Sequence, residues 1–436
     1  MYLAGHNYKA HDAMRFMAKL VYVLLDGVGD LPHPSLNHLT PLEAAYTPNM
    51  DSLARNGVMG MVYSVGKGIA PESDIAVFSM LGYKFKHEDY VGRGVIEAIG
   101  TGIDFKDGDL ALRGNFATID TKLNIIDRRA GRVIEKQESE TLSKAVEENV
   151  KLSNGSFVLV PTIGHRVVLS IRSDQSKLSA DISNTDPAYA RMKGMGVAKS
   201  TGVKLKLAEC KPLSKKSSSK LSAKLVNEFT KKSLKILKEH HINKIRKNVA
   251  KMAINCILLR DAGDRMPRLE PISKLHGLTF SCIVDMPVER GIAKVAGMEA
   301  FDAGNMNDYE QKARVAAECL QQFDAVYVHI KGPDEFGHEG DAKGKKKSIE
   351  DIDYRFFGTL LNSINVDNVA ITVSGDHSTP CVKKGHSDDP VPLLVSGKMV
   401  KHDNSERFTE IYAPKGALGS LNGYEVLGKT LQLIKS

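Results

Sequence analysis

The chain has 436 residues, 26% of them charged and 42% hydrophobic, with a mean hydropathy of −0.22. That length allows two or three domains with sizeable cores and excludes a disordered tail or a mini-protein. Sixty basic residues against 52 acidic ones give +8, but residues 211–251 hold twelve Lys and one Arg against Glu228 and Glu239. This local +11 leaves the rest of the chain at −3, so the basic balance describes one segment. Five cysteines (Cys210, Cys256, Cys282, Cys319, Cys381) form no C-x-x-C pair, which fits free thiols in a reducing, cytosolic compartment. No apolar run approaches the roughly 20 residues that span a bilayer, so no membrane partner is expected.

Residues 1–19 carry Lys9 and Arg15 without the apolar core of a signal peptide, and Met14 or Met17 are alternative starts. Residues 20–25 (LVYVLL) are continuously apolar and stop at Asp26-Gly27, the pattern of a strand buried on both faces of a parallel sheet. Thr47-Pro48 predicts an N-cap and N1 proline, and Gly57 a C-cap, for a helix around Met50, Leu53 and Ala54. From about 84 to 269 the character changes to alternating segments such as 157–160 and 166–171, which predict an α+β insertion. Within it the low-complexity run 213–220 (LSKKSSSK) reads as an exposed loop. Leu221, Leu225, Phe229 and Ile236 follow at helical spacing on a lysine-rich helix begun by Ser217 to Ser219. Beyond the insertion, 309–322 reads as a helix, 324–330 (DAVYVHI) as a buried strand and 345–364 as a helix. Strands at 369–373 and 391–395 complete the pattern, and no internal repeat appears. Alternating strand and helix predicts a doubly wound α/β sheet, built from 1–83 and 270–436 around the inserted 84–269, with ligands beyond the carboxyl ends of the strands.

The residues with chemistry fall at those ends. Asp26 follows the first strand, Asp334-x-x-x-His338 a later one, Asp376-His377 the next, and His386 comes nine residues on. Ser73 stands in APESDIAVF, where an extended loop enters an apolar helix. Three carboxylates and three histidines brought together are costly to desolvate without cations. With two divalent ions they make a site, and imidazole with carboxylate but no thiolate suits Mn, Zn, Co or Mg. Two such ions about 3.5–4 Å apart form the clamp of phosphoryl-transfer chemistry. Cys381, five residues before His386, reads as a packed small hydrophobe. Ser73 has two readings: an N-cap, or a nucleophile activated by a metal at a positively polarised helix N-terminus.

The strings LLDGVGD, APESDIAVFSMLGY, GRGVIEAIGTG, LRGNFATID, DRRAGR, HIKGPDEFGHEGD and GDHSTPCVKKGHSDDPVP carry a resemblance from about residue 18 to the C-terminus. Together they resemble the archaeal-type, cofactor-independent (2,3-bisphosphoglycerate-independent) phosphoglycerate mutases of the alkaline phosphatase superfamily. The resemblance implies an alkaline-phosphatase-like doubly wound sheet with a smaller α+β domain inserted in it and closing over the substrate. It implies a metal-dependent interconversion of 2-phosphoglycerate and 3-phosphoglycerate through a phosphoserine, in glycolysis and gluconeogenesis, without 2,3-bisphosphoglycerate. Carried over by motif, one metal falls on Asp334, His338 and His386, and the other on Asp26, Asp376 and His377 with the nucleophile Ser73. Mn is the expected metal, with Mg, Co or Zn as alternatives. Gly332-Pro333 precedes Asp334 where relatives commonly have Ala-Thr, and Phe336 replaces Ala; both change loop shape and leave the ligands intact.

Candidate anchors for the substrate are Arg113, Arg128, Arg129, Arg166 and Arg260, since Arg grips carboxylate and phosphate bidentately. Each is equally readable as a structural arginine. Lys331 is a candidate to offset phosphoryl charge, and Asp186 in NTDP reads as a turn residue more readily than as a proton carrier. The nearest rival is a phosphatase, phosphodiesterase or phosphopentomutase sharing the metal set. A rival of another class, a nucleic-acid-binding protein using 211–251, is disfavoured by a single Arg and no aromatic interleaving. The expected partner is thus the small phosphoglycerate; the oligomeric state has no signature in the sequence.

Overall fold

Residues 20–25 have no polar side to turn to water, and all six are completely buried at the centre of a sheet. The computed structural model describes residues 18–435 apart from 85, 87–89, 193–194 and 199–204, so the alternative starts lie outside it. Packing divides the chain into two units, Met1–Lys84 with His276–Ile283 and Ala303–Ser436, and Phe85–Leu275 with Val284–Asp302. Val284–Asp302, expected with the outer sheet, goes with the second unit because the helix Pro287–Ala296 packs on the helix Arg93–Gly100. Two glycines permit the approach: a Cβ at Gly100 would lie 1.7 Å from the Pro287 carbonyl oxygen, and one at Gly291 2.0 Å from that of Ile96.

The first unit is built on β1 (Lys19–Leu25), β2 (Gly57–Tyr63), β3 (Phe280–Val284), β4 (Ala325–Ile330), β5 (Val369–Gly375), β6 (Val391–Ser396) and β7 (Gly419–Asn422). Their order is β3-β4-β1-β5-β6-β2-β7, parallel throughout except for β6. This is the doubly wound α/β sheet that the alternating pattern predicts. Register does the positioning: Leu25 of β1 stands opposite Ile330 of β4 and Gly375 of β5. Asp26, Lys331 and Asp376, each the next residue, therefore leave the sheet side by side.

Several local expectations need correction. The helix Pro48–Arg55 starts where Thr47-Pro48 places it, but the Thr47 hydroxyl bonds to Asp51 Oδ1 at 3.2 Å instead of capping. The cap comes from Asp353, whose carboxylate accepts from Asn49 N at 3.2 Å and Met50 N at 2.7 Å. Asp353 lies in a π-helical turn, Ile352–Phe357, which interrupts the expected helix 345–364 between Ala342–Asp351 and Gly358–Ser363. Gly57 is no C-cap; Asn56 ends the helix and Gly57 opens β2, where a Cβ would come within 2.5 Å of the Val395 carbonyl oxygen. The helix expected over 309–322 is Tyr309–Cys319.

The second unit is an antiparallel sheet of Gly155–Pro161, Arg166–Ser173, Leu110–Ile119 and Cys256–Gly263, with the short strand Ile125–Asp127 beside Leu110–Ile119. Helices Lys136–Asn149 and Ser217–Glu239 join its core through Leu142, Leu225 and Phe229. The expected loop 213–220 ends at Lys216, since Ser217 already opens the helix and Ser219 is buried against Ser214 Oγ at 2.8 Å. Eleven of the twelve lysines in 211–251 are exposed, as a solvated face requires. The single arginine is not part of that face: Arg246 is 1% exposed, forks onto Glu138 at 2.8 and 2.9 Å, and donates to the carbonyls of Ala130, Val133 and Met252. Among the described residues no helix is long and apolar enough to cross a membrane.

Candidate functional site

Three neighbouring parallel strands end in polar residues, and the site is the sum of those ends. Asp26 follows β1, Asp376 and His377 follow β5, and after β4 Gly332 and Pro333 open a short helix, Pro333–Glu339, which carries Asp334 and His338 one turn apart. Ser73 is the first residue of the helix Ser73–Met80, whose N-cap is Glu72. The serine is therefore released from the capping role that its position suggested. Its Oγ lies 3.1 Å from His377 Nε2. The same nitrogen is 3.4 Å from Asp26 Oδ1 and 3.3 Å from Asp376 Oδ2. His386 gives Nδ1–H to the Pro71 carbonyl at 2.7 Å and points Nε2 at Asp334 Oδ1, 3.5 Å away.

Among the described residues, two groups present ligand atoms mutually within 4.8 Å: Asp26, Asp376 and His377, and Asp334, His377 and His386. The first is the expected trio. In the second, His377 takes the place expected for His338, which is half-exposed, 3.5 Å from Asp334 Oδ2, with its ring 5.1 Å from that of His386. The donor set fits divalent cations on an observation independent of the motif. Asp26 Oδ1 and Asp376 Oδ2 are buried and accept no hydrogen bond, a costly state for carboxylate oxygens unless a cation completes it.

Electrostatics agree. Burial raises the Asp26 carboxyl above its ordinary range, against the pull of Lys331, whose Nζ is 2.8 Å from Oδ2. Asp376 and Asp334 are lowered, because the neighbouring imidazoles outweigh the burial that works the other way. Burial depresses His377, while His386, despite its burial, is pushed up to about 9 by Asp334. Cys381 is buried with its thiol pushed up to about 12 by burial, the packed hydrophobe expected.

Two residues of the site escape sequence reading. His329 is the last residue but one of β4, with Nε2 3.3 Å from Asp376 Oδ2; an imidazole in a buried, mostly apolar strand was the available signal. Thr379, buried, bonds both Asp334 and His377, and nothing in a Ser-Thr-Pro turn announces that.

Comparison with known proteins shows the family. Residues 54–243 match the family profile described as 2,3-bisphosphoglycerate-independent phosphoglycerate mutase. A protein of that name from Aeropyrum pernix is 41% identical over 95% of this chain and 99% of its own; one from Methanopyrus kandleri is 36% identical over 94% of each. Among solved structures, the PH0037 protein from Pyrococcus horikoshii superposes with a TM-score of 0.77 at 30% identity, covering 97% of this chain and 99% of that one. The cofactor-independent phosphoglycerate mutase of Thermoplasma acidophilum gives 0.63 at 30% identity, covering 96% and 100%.

The chain belongs to the 2,3-bisphosphoglycerate-independent phosphoglycerate mutase family. As a phosphoglycerate mutase it is an isomerase that interconverts 2-phosphoglycerate and 3-phosphoglycerate. Such a mutase must also hold the glycerate, and the second unit gathers the five candidate arginines. Antiparallel register sets Arg113 opposite Arg260 and Arg166 opposite Asn115. Arg113 reaches Glu97 at 2.9 Å and Asp261 at 3.3 Å. Arg128 forks onto Asp186 at 2.6 and 3.1 Å, and the guanidinium groups of Arg128 and Arg260 each stand 4.8 Å from the Tyr189 ring centre. Asp186 also accepts from Ala188 N at 3.1 Å, the turn role expected of it. Arg260 is buried with Nε and Nη1 making no hydrogen bond. Burial, then the charge of Arg113, brings Arg166 down to about 10; burial and Arg166 bring His165 down to about 3, so this imidazole is neutral among cations. Arg129 is drawn down by burial and by Arg132.

Proposed function

We propose that the isomerisation runs through a phosphoserine on Ser73, at two divalent ions held by Asp26, Asp376 and His377 and by Asp334, His386 and His338, with Mn the favoured metal. The observation that carries this is the coincidence, at one point, of the Ser73 hydroxyl with two buried, unsatisfied carboxylate oxygens. When bound, the ions would lower the pKa of the serine hydroxyl and neutralise charge on the phosphoryl oxygens. Ser73 Oγ attacks phosphorus in line, breaking the phosphorus–oxygen bond to glycerate. The glycerate then returns through its other hydroxyl and frees the serine. Lys331, paired with Asp26, holds positive charge beside the phosphoryl group. Arg260, Arg166, Arg129, Arg113 and Arg128 supply carboxylate recognition, since among the described residues they outnumber the carboxylates Glu97, Asp261 and Asp186 that face them. Glycerate that escaped would leave the phosphoserine to water, so these anchors decide between mutase and phosphatase outcomes. Five free, buried cysteines support a cytosolic site of action.

The test is conversion of 3-phosphoglycerate coupled to enolase, without 2,3-bisphosphoglycerate, before and after chelation, with mass spectrometry of the quenched enzyme. A phosphorylated Ser73 peptide and metal-restored turnover are expected. Full turnover in metal-free protein, or phosphate on another residue, would overturn the proposal.

A further inference from the structure

Thr379 is completely buried two residues after His377, and each of its polar atoms has a partner. Its backbone N–H donates to the Gly29 carbonyl at 3.0 Å, and its own carbonyl accepts from Lys345 Nζ at 3.0 Å. Lys345, also fully buried, donates further to Gly29 O at 3.1 Å and Asp30 Oδ2 at 2.8 Å, and the Asp30 carboxylate accepts from Cys381 N at 3.0 Å. The loop after β1 and the loop after β5 are thereby tied at one point. Two glycines box the threonine in: a Cβ on Gly27 would stand 2.7 Å from Oγ1, and one on Gly337 2.3 Å from the carbonyl oxygen.

Thr379 Oγ1 lies 2.6 Å from Asp334 Oδ1 and 3.0 Å from His377 Nδ1. A hydroxyl has one proton to give and lone pairs to receive another, whereas a carboxylate oxygen only accepts. The proton therefore goes to Asp334, and the bond to His377 is one that the threonine accepts. Nδ1 of His377 must then carry the imidazole hydrogen, which leaves a lone pair on Nε2. That fits the surroundings of Nε2: Asp26 Oδ1 and Asp376 Oδ2 lie within 3.4 Å and receive no hydrogen bond from it. We propose that Thr379 is a positioning residue whose hydroxyl links the two ligand groups, fixing His377 as the Nδ1–H tautomer with Nε2 turned to Ser73, Asp26 and Asp376, and clamping Asp334 in the same act. One side chain sets ligands of both ions, as the outer partners of metal-bound histidines do.

The coupling presupposes the two-ion site proposed above, so the experiment separates the two. In metal-free wild-type protein, long-range nitrogen–proton NMR of His377, assigned against a His377→Asn variant, is expected to show the Nδ1–H tautomer; the Nε2–H tautomer would overturn the proposal whatever the variants do. In Mn titrations, Thr379→Val is expected to weaken at least one ion by about 10- to 100-fold, while Thr379→Ser, which restores the hydroxyl, stays within about threefold of wild type. Two ions bound by Thr379→Val with wild-type affinity would overturn it, as would an equal loss in Thr379→Ser, which would make the methyl group the cause. Wild-type protein that binds fewer than two ions would instead remove the two-ion site and leave the tautomer measurement to decide on Thr379.

Discussion

At Ser73 a single oxygen separates catalysis from structure. Because Glu72 holds the N-cap position, Ser73→Ala should leave the melting temperature nearly unchanged, well short of the 0.5–2 kcal/mol or so that a lost cap costs. Mutase turnover should vanish; retention of about a tenth of it would exclude a phosphoserine at this position. The arginines divide in the same way. Arg128 forks onto Asp186, which is completely buried, so Arg128→Ala leaves that carboxylate to Ala188 N and the more distant Arg260 and should lower stability by roughly 1–3 kcal/mol in denaturant titrations. Arg260 keeps Nε and Nη1 buried without a hydrogen bond, at the longer ion-pair distances of 3.5 Å from Asp261 and 3.6 Å from Asp186. Its truncation should leave stability less affected and shift partitioning from isomer toward inorganic phosphate by about ten- to a hundredfold, the worth of one charge-assisted contact. An unchanged ratio of phosphate to mutase product in Arg260→Ala would remove Arg260 from the anchors. The gathering of Asp26, Asp376 and His377 was legible because each follows the end of an apolar strand. The division among the arginines was not, because it depends on register, Arg113 opposite Arg260, and on carboxylates distant in sequence.

Elements show where local rules stop. Thr47-Pro48 marked a helix start correctly, yet the cap is supplied by Asp353, some 300 residues later, from a π-helical turn. Propensity and spacing read the run 345–364 as one helix, since an inserted residue leaves no mark in composition; such turns often have a positioning role, and here it is a cap. Asp353→Ala should accordingly lower stability by about 0.5–2 kcal/mol, measured by thermal unfolding, whereas Thr47→Val should cost less. Gly57 misled for a related reason: a glycine after a helix usually ends it, but this one answers to the backbone of β6. Four strands of the sheet, by contrast, were readable almost to the residue, the apolar runs 20–25, 324–330, 369–373 and 391–395, whereas Gly57–Tyr63, Phe280–Val284 and Gly419–Asn422 were not read as strands.

At the scale of the molecule, titration and ion loading both bear on stability. Glu410 accepts from Asp30 N at 3.3 Å and from the Thr40 hydroxyl at 2.8 Å, and burial pushes its carboxyl up to about 7 from 4.5. Its folded-state pKa lies above the unfolded value, so its contribution is complete below about pH 4.5 and is lost as pH rises through 7. On the order of 3 kcal/mol is at stake. Glu410→Gln should flatten the stability profile between pH 5 and 8, followed by urea unfolding; an unchanged slope would assign that pH dependence elsewhere. Ions bound by the native state alone should stabilise it by about 2.7 kcal/mol at a hundredfold excess over Kd. Manganese should therefore raise the melting temperature of wild type more than that of Asp376→Asn, which keeps the ligands of the other ion.

The pairing of β1 with β4 and β5 also sets a timetable. Leu20 waits for Ala325 and Ala370, so during synthesis the first strand leaves the ribosome about 350 residues before its last neighbour. At about 5–20 residues per second that is roughly 20–70 s, while most of the inserted unit, Phe85–Leu275, has already emerged. A nascent chain thus exposes the unpaired apolar run 20–25 for most of this time, and it can complete neither group of ligands before His377 has been made, nor the group with Asp334 before His386. Late burial of the first strand, and metal uptake only after His377 and His386 have emerged, follow from the order of strands and ligands along the chain.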